Sequence, residues 1–208
     1  MSDNKQVDKS HYEFHRYMDK GRWCSIWHQL DEVLRLKPAN VLEIGPGPGV
    51  FKYAAKLFGL DVETLDLDPE LKPDHVGSST ELPFADDTYD AVCAFQMLEH
   101  LPYERSLTAF REMVRVARKH VVISLPDSKK ARRYQFYVPA VGTFDRLFIR
   151  PGAKAAKHDF DGEHYWEINK QGYDLSKVTN DLSSICKLQK TYRVMEYSYH
   201  RFFVFEKA

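Results

Sequence analysis

In the stretch VLEIGPGPGV, residues 41 to 50, glycine falls at every second position behind a short apolar run: Gly45, Gly47 and Gly49. Glycine at that density lets the backbone turn left-handed and lets a ligand come close to the main chain. Two carboxylates belong with the turn. Glu43 stands two residues before the first glycine, and Asp66 lies near the end of the next strand-like run, DVETLDLD (61–68). A dinucleotide would want a third glycine where Val50 stands, and a phosphate loop would want a Gly-Lys-Ser/Thr ending. Neither is present, and no basic residue sits in the turn to neutralise phosphates. An acid beside the glycines suits a cation, and a carboxylate at Asp66 suits ribose hydroxyls. The combination points to an adenosine cofactor that carries positive charge and no phosphate. S-adenosylmethionine has those properties: a ribose for Asp66, an α-ammonium for Glu43, and a chain that needs close backbone approach.

A second set of residues could handle protons. Histidine is the usual base at neutral pH, and two candidates stand out, His100 in LEHL and His164 in DGEHYWE. Both also have a structural reading, since Glu99-His100 can brace the helix that Pro102 begins. His158, Asp159, Asp161, Glu163 and His164 are dense enough to raise the question of a metal, but they form no recognised ligand spacing. A solvated acidic loop and no metal are expected there. Between Lys129 and Lys157 eight Lys/Arg face one acid, Asp145, with Tyr134, Phe136, Tyr137, Phe144 and Phe148 interleaved. Such a stretch is either a solvated basic face or a surface for an anionic acceptor.

The elements that must position these residues follow from hydrophobic period. Trp23, Ile26, Trp27, Leu30, Val33 and Leu34 recur at helical spacing over 22–36, so both tryptophans are expected in the helix core. VLEIG (41–45) reads as a buried strand. Pro48 is expected to open a helix with Val50, Ala54 and Leu57 inside and Gly59 as its stop. Strands follow at 61–68, at His75–Val76 and at TYDAVCAFQ (88–96). A helix begins at Pro102, with Leu107, Phe110, Val114 and Ala117 on one face, and HVVISLP (120–126) is a further buried strand. Alternating strands and helices imply an α/β fold with a mostly parallel sheet covered on both faces. The end differs: ICKLQKTYRV (185–194), with Cys186, Leu188, Tyr192 and Val194 on one side, and HRFFVFE (200–206) should pair as an antiparallel hairpin.

The chain of 208 residues is expected to form a single domain, with 1–37 as an N-terminal helical extension that starts in a loose tail and 126–167 as an insertion. Hydrophobic residues at 43% and charged residues at 29% suit a globular protein, and a net charge of zero gives no support for nucleic-acid or membrane partners. The polar start has no signal-peptide core and no run is long enough to span a bilayer, so a cytoplasmic setting is expected. Cys24, Cys93 and Cys186 form no CxxC pair and read as small buried hydrophobes.

Taken together, VLEIGPGPG (41–49), VETLDLDP (62–69), ELPFADDTYDAV (81–92) and FQMLEHLPY (95–103) resemble, in order and spacing, the class I S-adenosylmethionine-dependent methyltransferases of the small-molecule and mixed-substrate subgroup. The resemblance covers 22–125 well and the last twenty-five residues in outline. It implies a Rossmann-like seven-stranded sheet, and methyl transfer that yields S-adenosylhomocysteine. By the same resemblance Gly45, Gly47 and Gly49 cradle the methionine part and Glu43 holds its amino end. Asp66 takes the ribose, Leu67 packs on adenine, and Phe95 and Gln96 line the sulfonium side. Where the family often has an acid for the adenine amine, this chain has Ser78 and Ser79. The expected acceptor is a small or medium-sized molecule, anionic if the basic insertion serves it. RNA or protein methylation, and a non-catalytic binding or scaffold role, stay open as alternatives.

Overall fold

The computed structural model describes residues 9–150 and 154–207. The first eight residues of the expected tail and residues 151–153 of the insertion lie outside that range. In chain order the elements are α1 (Phe14–Tyr17), α2 (Lys20–Arg35), β1 (Val41–Ile44), α3 (Val50–Leu57), β2 (Val62–Asp66), β3 (His75–Val76), β4 (Tyr89–Phe95) and α4 (Tyr103–Val116). Then come β5 (Ala117–Pro126), β6 (Ala131–Val138), β7 (Gly142–Ile149), α5 (Leu175–Ser183), β8 (Lys187–Arg193) and β9 (His200–Glu206).

Seven strands form one sheet in the order β3-β2-β1-β4-β5-β9-β8. The first five run parallel, while β9 is antiparallel to both β5 and β8. Alternate side chains of each central strand enter two cores. Leu42, Ile44, Val92, Ala94, Phe203 and Phe205 pack with α4 and α5. Val41, Ala91, Cys93, Phe95, Phe202 and Val204 pack with α2 and α3. Burial on both faces is why these strands read as continuous apolar runs. Cys93, in β4, and Cys186, just before β8, are buried as expected, whereas Cys24 on α2 is half-buried.

The helix termini follow local chemistry. Asp19 caps α2 by accepting a hydrogen bond from the Arg22 amide at 2.7 Å. Gly59, at φ 78°, ends α3: its amide bonds the Lys56 carbonyl and the Leu60 amide bonds Ala55, a Schellman closure.

Several expectations are corrected. Trp23 and Trp27 are each 57% exposed rather than core. The buried stripe of α2 is Ser25, Ile26, Gln29, Glu32 and Val33. Two of its polar groups have partners on β9 and β8: the Ser25 hydroxyl with His200 Nδ1 at 2.7 Å, and Glu32 with the Tyr192 hydroxyl at 2.7 Å. In α3 the buried residues are Phe51 and Ala55, while Leu57 is exposed. That helix begins at Val50 after Gly49 as N-cap, leaving Pro48 in the turn. Ala117 belongs to β5, not to the face of α4. In β8 the register shifts between Leu188 and Lys190, so Gln189 is an extra residue. A bulge moves every later side chain to the other face. Cys186 and Leu188 therefore pack beneath α4 and α5, whereas Tyr192 and Val194 pack beneath α2. The basic insertion contains a regular hairpin, β6 with β7, as a separate two-stranded sheet.

The C-terminal edge of the central sheet is tied together by one buried acid. Asp127, 1% exposed, follows β5 and accepts hydrogen bonds from Arg201 Nε (2.8 Å) and Asn169 Nδ2 (2.8 Å). Arg193 stands at 3.6 Å and donates to the carbonyls of Ser198 and Lys129. Removing the carboxylate strands two buried guanidiniums. Asp127→Ala is expected to cost about 3–5 kcal/mol, read in urea unfolding as a lower midpoint at unchanged slope.

Candidate active site

The chain leaves β1 through three left-handed glycines, Gly45 (φ 68°), Gly47 (φ 54°) and Gly49 (φ 75°). A Cβ at Gly45 would stand 2.5 Å from Met97 Cγ, and one at Gly47 would stand 3.0 Å from the Tyr12 ring. Both backbone conformation and space exclude a side chain at Gly45, and at Gly47 the left-handed backbone disfavours one while the Tyr12 ring would have to give way. Glu43 precedes the turn. It is 3% exposed, and its Oε2 has no hydrogen-bond partner among the described residues. Burial pushes its carboxyl up to about 8; nearby Lys52 opposes the shift and Asp66 adds to it. A buried acid without a partner is costly unless a cation or donor arrives to meet it.

Glu43 lines a cavity of about 180 Å³ together with Gly45, Gly47, Phe95 and Gln96. Gln96 adopts φ 54° at the end of β4, and its amide and side chain both bond Ser124. Phe95 is mostly core, against Phe51 and Phe202. Asp66, Leu67, Ser78 and Ser79 lie outside the cavity lining, at the adjacent ends of β2 and β3. Asp66 accepts a hydrogen bond from the Asp68 amide at 2.8 Å, and burial holds its carboxyl above the ordinary range. The Ser78 hydroxyl bonds the Thr80 hydroxyl and amide, a local turn.

The sequence reading missed the cover. The segment from His11 to Tyr17 folds over the glycine turn, with the rings of His11, Tyr12 and Tyr17 edge to face at 5.1–5.8 Å. Burial raises the Tyr12 hydroxyl, and so do Tyr17 and the carboxylates of Asp66, Asp68 and Glu163 around it. Arg22 lies 4.3 Å over the Tyr17 ring and is, among the described residues, the one guanidinium in the cavity lining. The only signal was the aromatic density of HYEFHRY, which has no helical period long enough to read.

At the other end of the cavity the chain brings His100 and His164 together, with ring centroids 4.9 Å apart. Backbone contacts hold the two segments: the Tyr165 amide donates to the Glu99 carbonyl at 2.8 Å, and His100 Nδ1 donates to the Glu163 carbonyl at 2.9 Å. Burial lowers His100 to about 4, helped by His164 and His11, so it is a neutral imidazole at pH 7. Burial pulls His164 down as well, but the hydrogen bond to Glu167 and the nearby Glu99 and Asp161 outweigh it, and the net shift is upward. His164 Nδ1 donates to Glu167 Oε1 at 3.1 Å, and Glu167 also accepts from the Tyr199 hydroxyl. Glu167 and Tyr199 were not expected, because their place depends on a meeting between residues more than thirty positions apart.

None of the eight basic residues of 129–157 lines this cavity; the insertion contributes Glu163 and His164 instead. Arg132, Arg133 and Arg146 lie in the hairpin strands, Lys129, Lys130 and Arg150 flank them, and Lys154 and Lys157 lie in the loop beyond. A wider groove of about 630 Å³ runs along the hairpin, lined by Lys130, Arg132, Tyr134, Phe148, Ile149 and Arg150.

A family model described as "Methyltransferase domain" matches residues 14–175. The norajmaline N-methyltransferase of Rauvolfia serpentina is 31% identical over 123 residues, which are 47% of this chain and 41% of that relative. In the match the chain thus spans less than half of that relative's length. Among solved structures, a protein of Pyrococcus horikoshii has a TM-score of 0.64 at 14% identity, covering 95% of this chain and 96% of that one. The 1,6-didemethyltoxoflavin-N1-methyltransferase of Burkholderia thailandensis, solved with its substrate and S-adenosylhomocysteine, has a TM-score of 0.59 at 14% identity, covering 96% and 84%. No helix among the described residues is long and apolar enough to cross a membrane. With most of its length inside the matched domain, the chain belongs to the methyltransferase-domain family and has the fold of the class I S-adenosylmethionine-dependent methyltransferases.

Proposed function

We propose that the protein transfers a methyl group from S-adenosylmethionine to a small-molecule acceptor, releasing S-adenosylhomocysteine. The observation that carries this reading is Glu43: a fully buried carboxyl beneath a three-glycine turn, with an oxygen unpartnered among the described residues. It suits the α-ammonium of the cofactor. Gly45, Gly47 and Gly49 let the methionyl part reach the backbone, and Arg22 suits its carboxylate. Asp66 would take the ribose hydroxyls and Leu67, 38% exposed, would pack on adenine. Ser78 and Ser79 would lie toward the adenine amine, and Phe95 and Gln96 toward the sulfonium.

The cofactor supplies a methyl group already activated by the positive sulfur. The chain's own work is then alignment and desolvation, and positioning can supply roughly 7–11 kcal/mol. At the acceptor end His100 and His164 offer imidazole nitrogens, and a general base adds about 10²–10⁴-fold. Glu167 fixes His164 with Nδ1 as donor, which leaves Nε2 as the basic nitrogen. The names of the norajmaline and 1,6-didemethyltoxoflavin enzymes specify a nitrogen of a small molecule, which supports a small-molecule acceptor here. The cationic groove along β6 and β7 supports an anionic part on it.

Calorimetry with S-adenosylhomocysteine tests the reading, and binding of NAD in its place would overturn it. Asp66→Ala should weaken that binding roughly 10- to 150-fold, the range for hydrogen bonds to a charged group; unchanged affinity removes Asp66 from the ribose. Glu43 adds a pH signature. Its folded pKa of about 8 exceeds the ordinary 4.5. The unfolded chain releases this proton first, so the ligand-free fold loses stability as pH rises from 4.5 to about 8. Glu43→Gln should flatten that fall in thermal melts at pH 5 and pH 8. Ligand binding near pH 6.5 should expel about one proton from the native protein and none from the variant, read from calorimetric heats in buffers of different ionisation enthalpy.

A further inference from the structure

Glu99 is the second buried acid near the cavity. It is 0% exposed, and both of its carboxylate oxygens lack a hydrogen-bond partner among the described residues. A carboxyl group that is shut away from water and given no donor is an expense the fold must offset. Its neighbours explain what could meet it. A carboxylate oxygen of Glu99 and one ring nitrogen each of His100 and His164 lie within 4.8 Å of one another. Glu99 and His100 are neighbours and His164 lies 64 residues beyond His100, which is why no ligand spacing is visible along the chain.

The rings are also held as metal ligands are held. An imidazole that binds a metal through one nitrogen usually donates its other N–H to a backbone carbonyl or a carboxylate. His100 Nδ1 donates to the Glu163 carbonyl at 2.9 Å, and His164 Nδ1 donates to Glu167 Oε1 at 3.1 Å. Glu167 is itself fixed by the Tyr199 hydroxyl, and the Asp161 carboxylate accepts the His164 amide at 2.7 Å. Both rings therefore carry their lone pair on Nε2. Ligands about 2.0–2.2 Å from a zinc ion lie roughly 3–4 Å from each other, so small side-chain turns would close the set.

We propose that Glu99, His100 and His164 bind a divalent first-row transition cation at the acceptor end of the cavity. One carboxylate and two imidazoles suit zinc or manganese better than calcium, which prefers an all-oxygen shell. Three protein ligands leave open positions, and His100 and His164 line the cavity through which an acceptor oxygen or nitrogen would reach them. The proposal deepens the methyltransferase reading by naming an acceptor with a metal-binding heteroatom. It also gives the two imidazoles a different task, since a coordinated His164 is no longer a free base. No bond to carbon changes on metal binding; waters leave the cation and the carboxylate and imidazoles replace them.

The test is calorimetry on the tag-free full chain, stripped with chelator and titrated with Zn²⁺, Mn²⁺ and Ca²⁺. Near-stoichiometric binding of Zn²⁺ or Mn²⁺, tighter than Ca²⁺, is expected. His164→Ala should weaken it at least 100-fold, and Glu167→Gln about 10- to 100-fold through loss of ring orientation. Exposed His15→Ala should leave it unchanged, which separates the site from adventitious surface histidines. Circular-dichroism melts establish that the variants fold; His164 is the primary variant because Glu99→Gln alters a fully buried group. No binding by the native chain, or equal affinity in His164→Ala, overturns the proposal and leaves His164 a free base. S-adenosylhomocysteine is titrated in parallel. Its binding without metal binding keeps the methyl-transfer reading and rejects this one, and metal binding alone does the reverse.

Discussion

The wall of the cavity that holds His100 and His164 depends on one buried ion cluster. Asp127 gathers Arg201, Arg193 and Asn169 just beyond the end of β5. In doing so it pins β8, β9 and the segment 167–170 to the same sheet edge. The isolated bridge between Asp127 and Ile168 continues the pairing. From there the chain runs back only a few residues to Tyr165 and His164, whose contacts with Glu99 and His100 complete the cavity. A buried charge is a poor source of net stability. Here its value is geometric: it fixes where a long excursion of the chain re-enters the sheet.

The cavity itself is built on a deliberate shortage of partners. Glu43 at the glycine end and Glu99 at the histidine end are both buried, and burial raises the pKa of each. Asp127, by contrast, has every partner it needs. The difference separates acids that hold the fold from acids that wait for something. Other buried polar groups on α2 are answered within the chain, Glu32 by Tyr192 and Ser25 by His200. Among the described residues the buried carboxylate oxygens without a partner belong to Glu43, which lines the cavity, and to Glu99, the neighbour of cavity-lining His100.

Much of this fold was legible in the sequence, for physical reasons. Strands buried on both faces write themselves as apolar runs, and β1, β4, β5 and β9 were found that way. The glycine turn and its carboxylates were legible because backbone approach and charge sign restrict the residues allowed. What failed was sidedness. Ser25 and Glu32 fit the inner stripe of α2 because each has a distant partner, and no period can reveal a distant partner. The Gln189 bulge reversed the faces of β8 midway, which strict alternation cannot anticipate. The β6–β7 hairpin was missed because both of its faces are largely exposed, so no inward stripe of apolar residues betrays it. In the site, Arg22, Glu167 and Tyr199 were invisible for a related reason: their role arises from convergence in space, not from neighbours in the chain.

The misplaced tryptophans have a consequence of their own. Trp23 and Trp27 stand on the outside of α2, 57% exposed, while Trp166 is 2% exposed against Tyr103 and one residue from Glu167. The chain thus carries two exposed indoles and one buried in the core against α4. Aqueous quenchers reach the first pair and not the third. Its emission can be split into a solvent reference and a buried reporter without adding any label, so light itself distinguishes an event near Trp166 from a change in the whole molecule.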